Sequence, residues 1–125
     1  MIEPRLLFRV EVISEWLERE GFWVKDLGLL ASALERPWLQ FGGRELYPDV
    51  WHKAAALLDS IEGSHPFHDG NKRAGVLLLS LFLAAHGVDD EAISDDDLFH
   101  LVCDVATSHP DVDVLASRIK ALAGH

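Results

Sequence analysis

Residues 65–87 of the chain read HPFHDGNKRAGVLLLSLFLAAHG, and this stretch decides the fold. Its second half, residues 74–85, is apolar almost all round, a pattern typical of a helix at the centre of a bundle. Its first half is polar and holds two histidines, an aspartate, a glycine and a lysine–arginine pair. The sequence therefore predicts a polar loop that leads into the N-terminus of a buried helix, a place where phosphate groups bind.

The sequence before this stretch also favours helices. Apolar residues recur at spacings of three and four in a first helix that ends near Gly21. Asp26 is placed to cap a second helix over residues 27–36. Residues 38–47 contain two glycines and several aromatic residues without a helical period, so we expect an extended flap or hairpin there.

Four further helices are predicted after the flap. Pro48 suits the first turn of a third helix, and Gly63 predicts its end. The fourth helix covers residues 71–86, Ser94 is placed to cap a fifth, and Pro110 precedes the last. The prediction is an all-α fold of about six helices around a buried central helix, with a short flap between helices 2 and 3.

Composition narrows the class of protein. The chain has 125 residues, 49% of them hydrophobic, and Cys103 is its only cysteine, so an internal disulfide and a cysteine-based zinc site are excluded. The net charge of −10 disfavours general binding to nucleic acid or to anionic membranes. Residues 1–10 lack the apolar core of a signal peptide, and residues 74–85 are too few for the roughly 20 of a membrane span. We expect a soluble, cytoplasmic protein with one domain over residues 1–125.

The motif loop offers groups that bind phosphate. Gly70 allows a tight turn. The backbone amides of Asn71, Lys72 and Arg73 would form the first turn of the helix, where they lack intrahelical partners and the helix dipole favours negative charge. The lysine adds a point charge and the arginine a planar fork. Phe67, between polar neighbours, is predicted to point into the core and hold the loop.

Two further side chains suit transfer chemistry. Asp69 is placed to hold a magnesium ion that bridges phosphates. His65 is of a residue type that titrates near neutral pH and can take a proton from a hydroxyl. Each residue alone also has an ordinary structural interpretation, but their joint occurrence ahead of a buried helix favours a phosphate or nucleotide site. A zinc site built from His65, His68 and Asp69 is an alternative, although Pro66 and Gly70 indicate a loop instead of one helical face.

Residues 65–73 resemble the signature of the Fic/Doc superfamily, His-Pro-Phe-x-Asp-Gly-Asn-x-Arg. The lysine before the final arginine is typical of the Doc ("death on curing") branch. Residues 26–37 are similar to the family's early Gly-Leu-Leu-x-Ser-Ala-Leu block, and residues 47–55 to the segment that follows it. The likeness is close over residues 26–87 and loose towards the ends.

The resemblance implies a role for each motif residue. His65 would be the general base and Asp69 would hold the magnesium ion. ATP phosphates would bind the turn formed by Gly70, Asn71, Lys72 and Arg73. The flap, residues 38–47, would hold the target chain near His65 by strand-like pairing.

The resemblance also implies a biological activity. Doc toxins phosphorylate a threonine of elongation factor Tu, which halts translation, and a Phd-type antitoxin neutralises them. Fic relatives transfer AMP instead and usually have glycine where this chain has Lys72. We therefore expect phosphate transfer, with AMP transfer or a catalytically silent interaction module as alternatives.

A partner protein is also expected. The chain lacks the Ser/Thr-x-x-x-Glu-Gly/Asn inhibitory element of many Fic proteins, so a separate Phd-like antitoxin is the expected inhibitor. Trp38, Phe41 and Trp51 could form an apolar groove for a disordered antitoxin tail. Trp51 fits equally well in the core of the third helix.

Overall fold

The computed structural model describes residues 3–89 and 91–125, and it consists of helices joined by short loops. Its α-helices are α1 (Pro4–Leu7), α2 (Val10–Arg19), α3 (Leu27–Glu35), α4 (Val50–Ser64), α5 (Asn71–Ala85), α6 (Asp95–Ser108) and α7 (Val112–Leu122). A 3₁₀ turn, Arg36–Trp38, follows α3. An antiparallel hairpin of β1 (Gln40–Phe41) and β2 (Arg44–Glu45) precedes α4. The all-α prediction is confirmed, and the predicted flap is this small hairpin.

Side-chain caps set the start of three helices. Oxygens of Asp26, Asp49 and Ser94 each accept a hydrogen bond from the backbone N–H three residues further on, at 3.0, 2.8 and 3.1 Å. Such caps satisfy amides that a helix start leaves without partners. The caps predicted at Asp26 and Ser94 are confirmed. Pro48, in contrast, lies before α4, because Asp49 is the capping residue.

Two predicted helix boundaries are wrong. The first predicted helix is divided in two, because Phe8 ends α1 and the extended backbone of Arg9 starts α2. The third predicted helix does not end at Gly63. It continues to Ser64, because the left-handed residue that closes it is His65, with φ 53°.

Helix α4 contacts more elements than α5, although α5 has the more apolar sequence. It packs against α3, α5, α6, α7 and the 3₁₀ turn, whereas the main contacts of α5 are with α4 and α6. Ala54, Ala55 and Ala56 of α4 are fully buried. Their small side chains allow neighbouring helices to approach α4 from several sides, and α5 buries Leu78 and Phe82 in the same core.

Aromatic residues join the root of the flap to the core. The Trp38 ring lies 6.4 Å from Phe8 and 5.7 Å from Phe82, measured between ring centroids. Trp38 and Trp51 are both half-buried and pack against the core, so Trp51 takes the core position that the sequence left open as an alternative to the groove. Phe41 at the hairpin is 79% exposed.

No helix among residues 3–89 and 91–125 is long and apolar enough to cross a membrane. Met1 and Ile2 belong to the N-terminal segment on which the prediction of localisation rests, and they lie outside the described residues. The cytoplasmic location and the single domain stay predictions.

Candidate functional site

His65 ends α4 in the left-handed backbone region, with φ 53° and ψ 62°. Its N–H still donates to the carbonyl oxygen of Ile61 at 3.2 Å, so the residue closes the last helical turn. A residue other than glycine is uncommon in this region and costs about 1 kcal/mol or more there. The chain turns from α4 into the motif loop at this point, and the His65 side chain is exposed.

The motif loop is held by a distant segment, residues 22–26, which we call the template segment. The N–H groups of Lys25 and Asp26 both donate to the carbonyl oxygen of Pro66, at 2.8 and 3.1 Å. The N–H of His68 donates to the carbonyl oxygen of Trp23 at 3.0 Å. Between these bonds, Val24 and Phe67 form an antiparallel β-bridge. The backbone of the loop is therefore fixed by strand-like pairing.

Phe67 anchors the same loop from inside. Its side chain is 1% exposed, and its ring centroid lies 5.7 Å from that of Phe22 in the template segment. The prediction that Phe67 points into the core is confirmed.

Asn71 closes the loop with its side-chain amide. Its Oδ1 accepts from the N–H of Phe67 and its Nδ2 donates to the carbonyl oxygen of Phe67, each at 3.1 Å. Both polar groups of the amide are therefore engaged in shaping the loop. The backbone N–H and the second hydrogen of Nδ2 are the donors with which Asn71 can contact a phosphate group.

Gly70 is required by both conformation and space. It has φ 74°, and a Cβ atom there would lie 3.2 Å from Nη2 of Arg73 and 3.2 Å from Cε1 of Phe22. The Arg73 guanidinium lies over the Phe22 ring, with Cζ 4.6 Å from its centroid, in a cation–π contact. The template segment thus also positions the arginine of the motif.

The first turn of α5 has the features of an anion-binding turn, a name used below for residues 70–73. The first intrahelical bond runs from the N–H of Ala74 to the carbonyl oxygen of Gly70, at 2.8 Å. In the part of the chain that the structure describes, the preceding amides of Asn71, Lys72 and Arg73 donate to no acceptor. The Lys72 and Arg73 side chains are exposed. Open amides, the helix dipole and two cations together favour a bound anion.

Asp69 fits the predicted magnesium ligand. It is exposed, and its Oδ1 accepts from the N–H of Gly70 at 2.8 Å, which fixes the carboxylate beside the anion-binding turn. Magnesium is commonly held by one or two carboxylates together with substrate phosphates, so a single aspartate suffices. Among the described residues, no group of three or more His, Cys, Asp or Glu is arranged to hold a metal ion. The zinc alternative from His65, His68 and Asp69 therefore has no support in the geometry.

Glu62, one turn before His65 in α4, was missed by the sequence analysis. It is 0% exposed, and neither carboxyl oxygen has a hydrogen-bond partner within the described ranges. Burial raises the pKa of Glu62 to about 8, and the nearby Lys72 ammonium opposes that rise. None of the roles predicted from the sequence involves this fully buried carboxyl group.

Lys53, also missed, holds the root of the flap. It is 8% exposed, and its Nζ donates to the carbonyl oxygens of Pro37 (3.3 Å) and Tyr47. It also pairs with Glu45 of β2 at 3.1 Å. The hairpin is therefore anchored at its base while its own residues are exposed.

The structure brings all the predicted site residues together on one turn between α4 and α5. His65, Asp69, Lys72 and Arg73 are exposed there, and Gly70 and Asn71 shape the backbone. Such a surface can bind an anion at the helix N-terminus and place a basic side chain and a carboxylate beside it. The chemical roles of these residues stay predictions.

Comparison with known proteins assigns the chain that carries this surface to a family. Residues 7–83 match the model of the Fic/DOC family. The match covers more than half of the chain, so the chain belongs to this family. No solved structure matches the chain.

A curated relative narrows the assignment to the Doc branch. The chain is 40% identical over 101 residues to a protein named "Toxin Doc" from Mycolicibacterium smegmatis (strain ATCC 700084 / mc(2)155). The alignment covers 80% of this chain and 78% of that toxin. The resemblance seen in residues 65–73 is confirmed.

Proposed function

We propose that the chain is a Doc-type toxin that transfers phosphate from ATP to a hydroxyl group of a target protein. The target is a translation elongation factor, such as elongation factor Tu, and its modification inhibits translation. The likeness to toxin Doc supports the class of protein. The observation that carries the choice of a phosphate donor is the open first turn of α5, with Lys72 and Arg73 exposed beside it.

In the proposed reaction, His65 accepts the proton of the target hydroxyl as its oxygen attacks the γ-phosphorus. The bond from that phosphorus to the bridging oxygen of ADP breaks, and ADP leaves. The amides of residues 71–73 and the Lys72 ammonium bind the phosphate oxygens and stabilise the charge of the transition state. A magnesium ion, when bound at Asp69, neutralises further phosphate charge. Phosphoryl transfer depends mainly on such positioning and charge neutralisation.

Lys72 distinguishes phosphate transfer from AMP transfer. A lysine at this position adds a bulky cation to the anion-binding turn and changes where phosphates settle. We infer that the γ-phosphorus, not the α-phosphorus, then faces the target hydroxyl. Incubation with γ-labelled and with α-labelled ATP, a cell extract and the purified protein separates the two reactions. Label from the γ-position alone supports the proposal, whereas label from the α-position alone would show AMP transfer.

A matched pair of histidine variants tests the base. His65→Ala should abolish transfer and toxicity, whereas His68→Ala, an exposed neighbour in the same loop, should retain both. Undiminished toxicity of His65→Ala would refute catalysis by His65 and favour the interaction module.

We further propose that a Phd-like antitoxin binds this chain. A groove of about 550 Å³ beside the flap root supports a partner, because it combines apolar surface with two arginines and two glutamates. It is lined by Arg5, Phe8, Arg9, Glu11, Glu35, Trp38 and Leu39, among others. Co-expression with the product of the adjacent small gene should give a co-purifying complex. Leu39→Asp should abolish that complex and Val114→Asp, at an exposed position of α7, should not; equal retention by both variants would exclude the groove as the binding surface.

A further inference from the structure

Glu62 is a buried acid for which the proposed reaction provides no task. Its side chain is 0% exposed and both carboxyl oxygens lack hydrogen bonds to any described residue. An ionised carboxylate is strongly disfavoured in such surroundings, because neither water nor a partner compensates its charge. The neutral acid is therefore the favoured form at neutral pH.

The carboxyl group lies directly on the backbone of α5 at Gly75. A Cβ atom built on Gly75 would lie 3.2 Å from Cδ of Glu62 and closer still to its Oε2, nearer than real Cβ atoms approach. The glycine thus provides the space that the acid occupies. Gly75 follows Lys72 by three positions, so the two lie on one face of α5 in consecutive turns. Glu62 therefore contacts the backbone of α5 one turn after the lysine.

Lys72 is the charged group that acts on this acid. Burial is the larger influence and raises the pKa of Glu62 to about 8, while the Lys72 ammonium on α5 lowers it. The other elements that pack on α4 also carry charged or titratable side chains: Glu35, Arg36, Asp95, Asp96, Asp97, His100, Asp104, Asp113, Arg118 and Lys120. Three ion pairs involve some of these, Arg36–Asp59, Arg118–Asp104 and His52–Asp113, and none of the groups is among the causes of the shift in the pKa of Glu62. Ionisation of Glu62 is thus coupled to Lys72, one of the two cations of the anion-binding turn.

On the basis of the proposed phosphate site, we propose that Glu62 is a positioning residue that takes up a proton when a phosphate group binds at Lys72. In the free protein, the lysine charge favours the carboxylate of Glu62. A phosphate group at Lys72 cancels that charge, so the neutral acid is favoured in the complex. Coupling between two sites is reciprocal, so ionised Glu62 must weaken phosphate binding by the same factor.

This coupling has a defined pH window. Below pH 7, Glu62 is neutral in both the free protein and the complex and has no effect on affinity. As the pH rises through about 8, the free protein ionises first, and its new negative charge repels the phosphate. Affinity for ATP should fall between pH 7 and pH 9.

The titration of Glu62 can be measured without any nucleotide. In protein labelled with ¹³C at glutamate carboxyl carbons, the Glu62 signal is assigned by its absence in Glu62→Gln. Its midpoint should lie near pH 8, and Lys72→Met should raise it, because the opposing cation is gone. A midpoint in the ordinary range of glutamate, or one that Lys72→Met does not move, would overturn the inference. Circular dichroism verifies that both variants are folded.

Calorimetric titration with ATP tests the coupling itself. In buffers of different ionisation heat, the parent protein should take up protons on binding near pH 8, and Glu62→Gln should take up fewer. Between pH 7 and pH 9 the parent should lose about fivefold more affinity than Glu62→Gln, at the low end of typical coupling. Equal proton uptake and parallel pH profiles in the two proteins would refute the role, because a purely structural residue would not alter either one.

The outcomes separate this inference from the proposed function. Proton-linked ATP binding without transfer to any protein would support the role of Glu62 and refute the kinase activity. Transfer with identical proton uptake in parent and Glu62→Gln would support the kinase activity and refute the role of Glu62. Absence of ATP binding at every pH would refute both.

Discussion

Gly75→Ala should destabilise the protein, although alanine is the better helix former. In the interior of a helix, alanine is favoured over glycine by about 1 kcal/mol. At Gly75, however, the new Cβ atom would overlap the carboxyl group of Glu62, and Leu58 lies 3.2 Å away on the same side. Forcing an extra group into such a packed site costs about 1–3 kcal/mol. We expect a net loss of up to about 2 kcal/mol.

Gly63→Ala is the matched control. Gly63 also lies within a helix, α4, but a Cβ atom there has no atom within 4 Å. This variant should gain up to about 1 kcal/mol. The two substitutions should therefore shift the stability in opposite directions and differ by up to about 3 kcal/mol, although the sequence change is the same.

Urea unfolding of the parent, Gly75→Ala, Gly63→Ala, Glu62→Ala and the double variant Glu62→Ala/Gly75→Ala measures these values. Glu62→Ala removes the group that the new methyl meets, so Gly75→Ala should cost at least about 1 kcal/mol less in that background. Such non-additivity identifies the contact itself as the cause. If Gly75→Ala were as stabilising as Gly63→Ala, the close packing of Glu62 on Gly75 would be refuted.

Three further predictions concern buried polar groups. The pKa of Glu62 is raised from 4.5 to about 8, so between these two pH values the native state keeps a proton that the unfolded state releases. The free energy of unfolding should therefore fall by about 1.4 kcal/mol for each pH unit in this range, which is about 5 kcal/mol in all. Urea unfolding at pH 5, 7 and 9 should show that Glu62→Gln lacks this loss, and parallel profiles of the two proteins would contradict it. Lys53→Met should cost about 2 kcal/mol and increase hydrogen exchange of the hairpin, because two carbonyl oxygens lose their donor; unchanged exchange at residues 40–46 would disprove the anchoring role. Asn71→Ala should cost about 2 kcal/mol and reduce transfer, and Asn71→Asp, which keeps the acceptor for the Phe67 N–H, should cost less; equal costs would indicate that this acceptor does not hold the loop.

Local features of the sequence predicted most of the helices and the position of the site. Asp26 and Ser94 were recognisable because capping depends on residues only three positions apart. Residues 71–86 were recognisable as a core helix from composition alone, since a helix that is apolar all round is usually buried. The helix end predicted at Gly63 was wrong because, unlike the cap at Asp26, it depends on more than the local sequence. A glycine usually marks a helix end, yet here the left-handed residue is His65, which directly precedes the Pro66 carbonyl that accepts hydrogen bonds from Lys25 and Asp26.

The groups that the sequence did not predict depend on long-range packing. Glu62 and Lys53 have the charges of surface residues, and their spacing of nine positions puts them on opposite faces of α4. Their burial results from the contacts of α4 with elements on several sides, which no local pattern records. The pairing of residues 22–26 with residues 66–68 was missed likewise, because it joins segments some 40 positions apart. The apolar residues reveal the core, but an isolated buried charge is visible only in the assembled fold.

The site is built from two separate stretches of sequence, because the template segment precedes the motif residues by about 40 positions. A fragment of residues 27–125 would contain every predicted catalytic and ligand-binding side chain, yet it would lack the strand that pairs with the motif loop and the ring beneath Arg73. A separate peptide of residues 3–26 would carry that missing template and none of the reactive groups. The protein thus divides naturally into a chemical part and a shaping part, and their reassembly would be a direct way to switch the activity on by association.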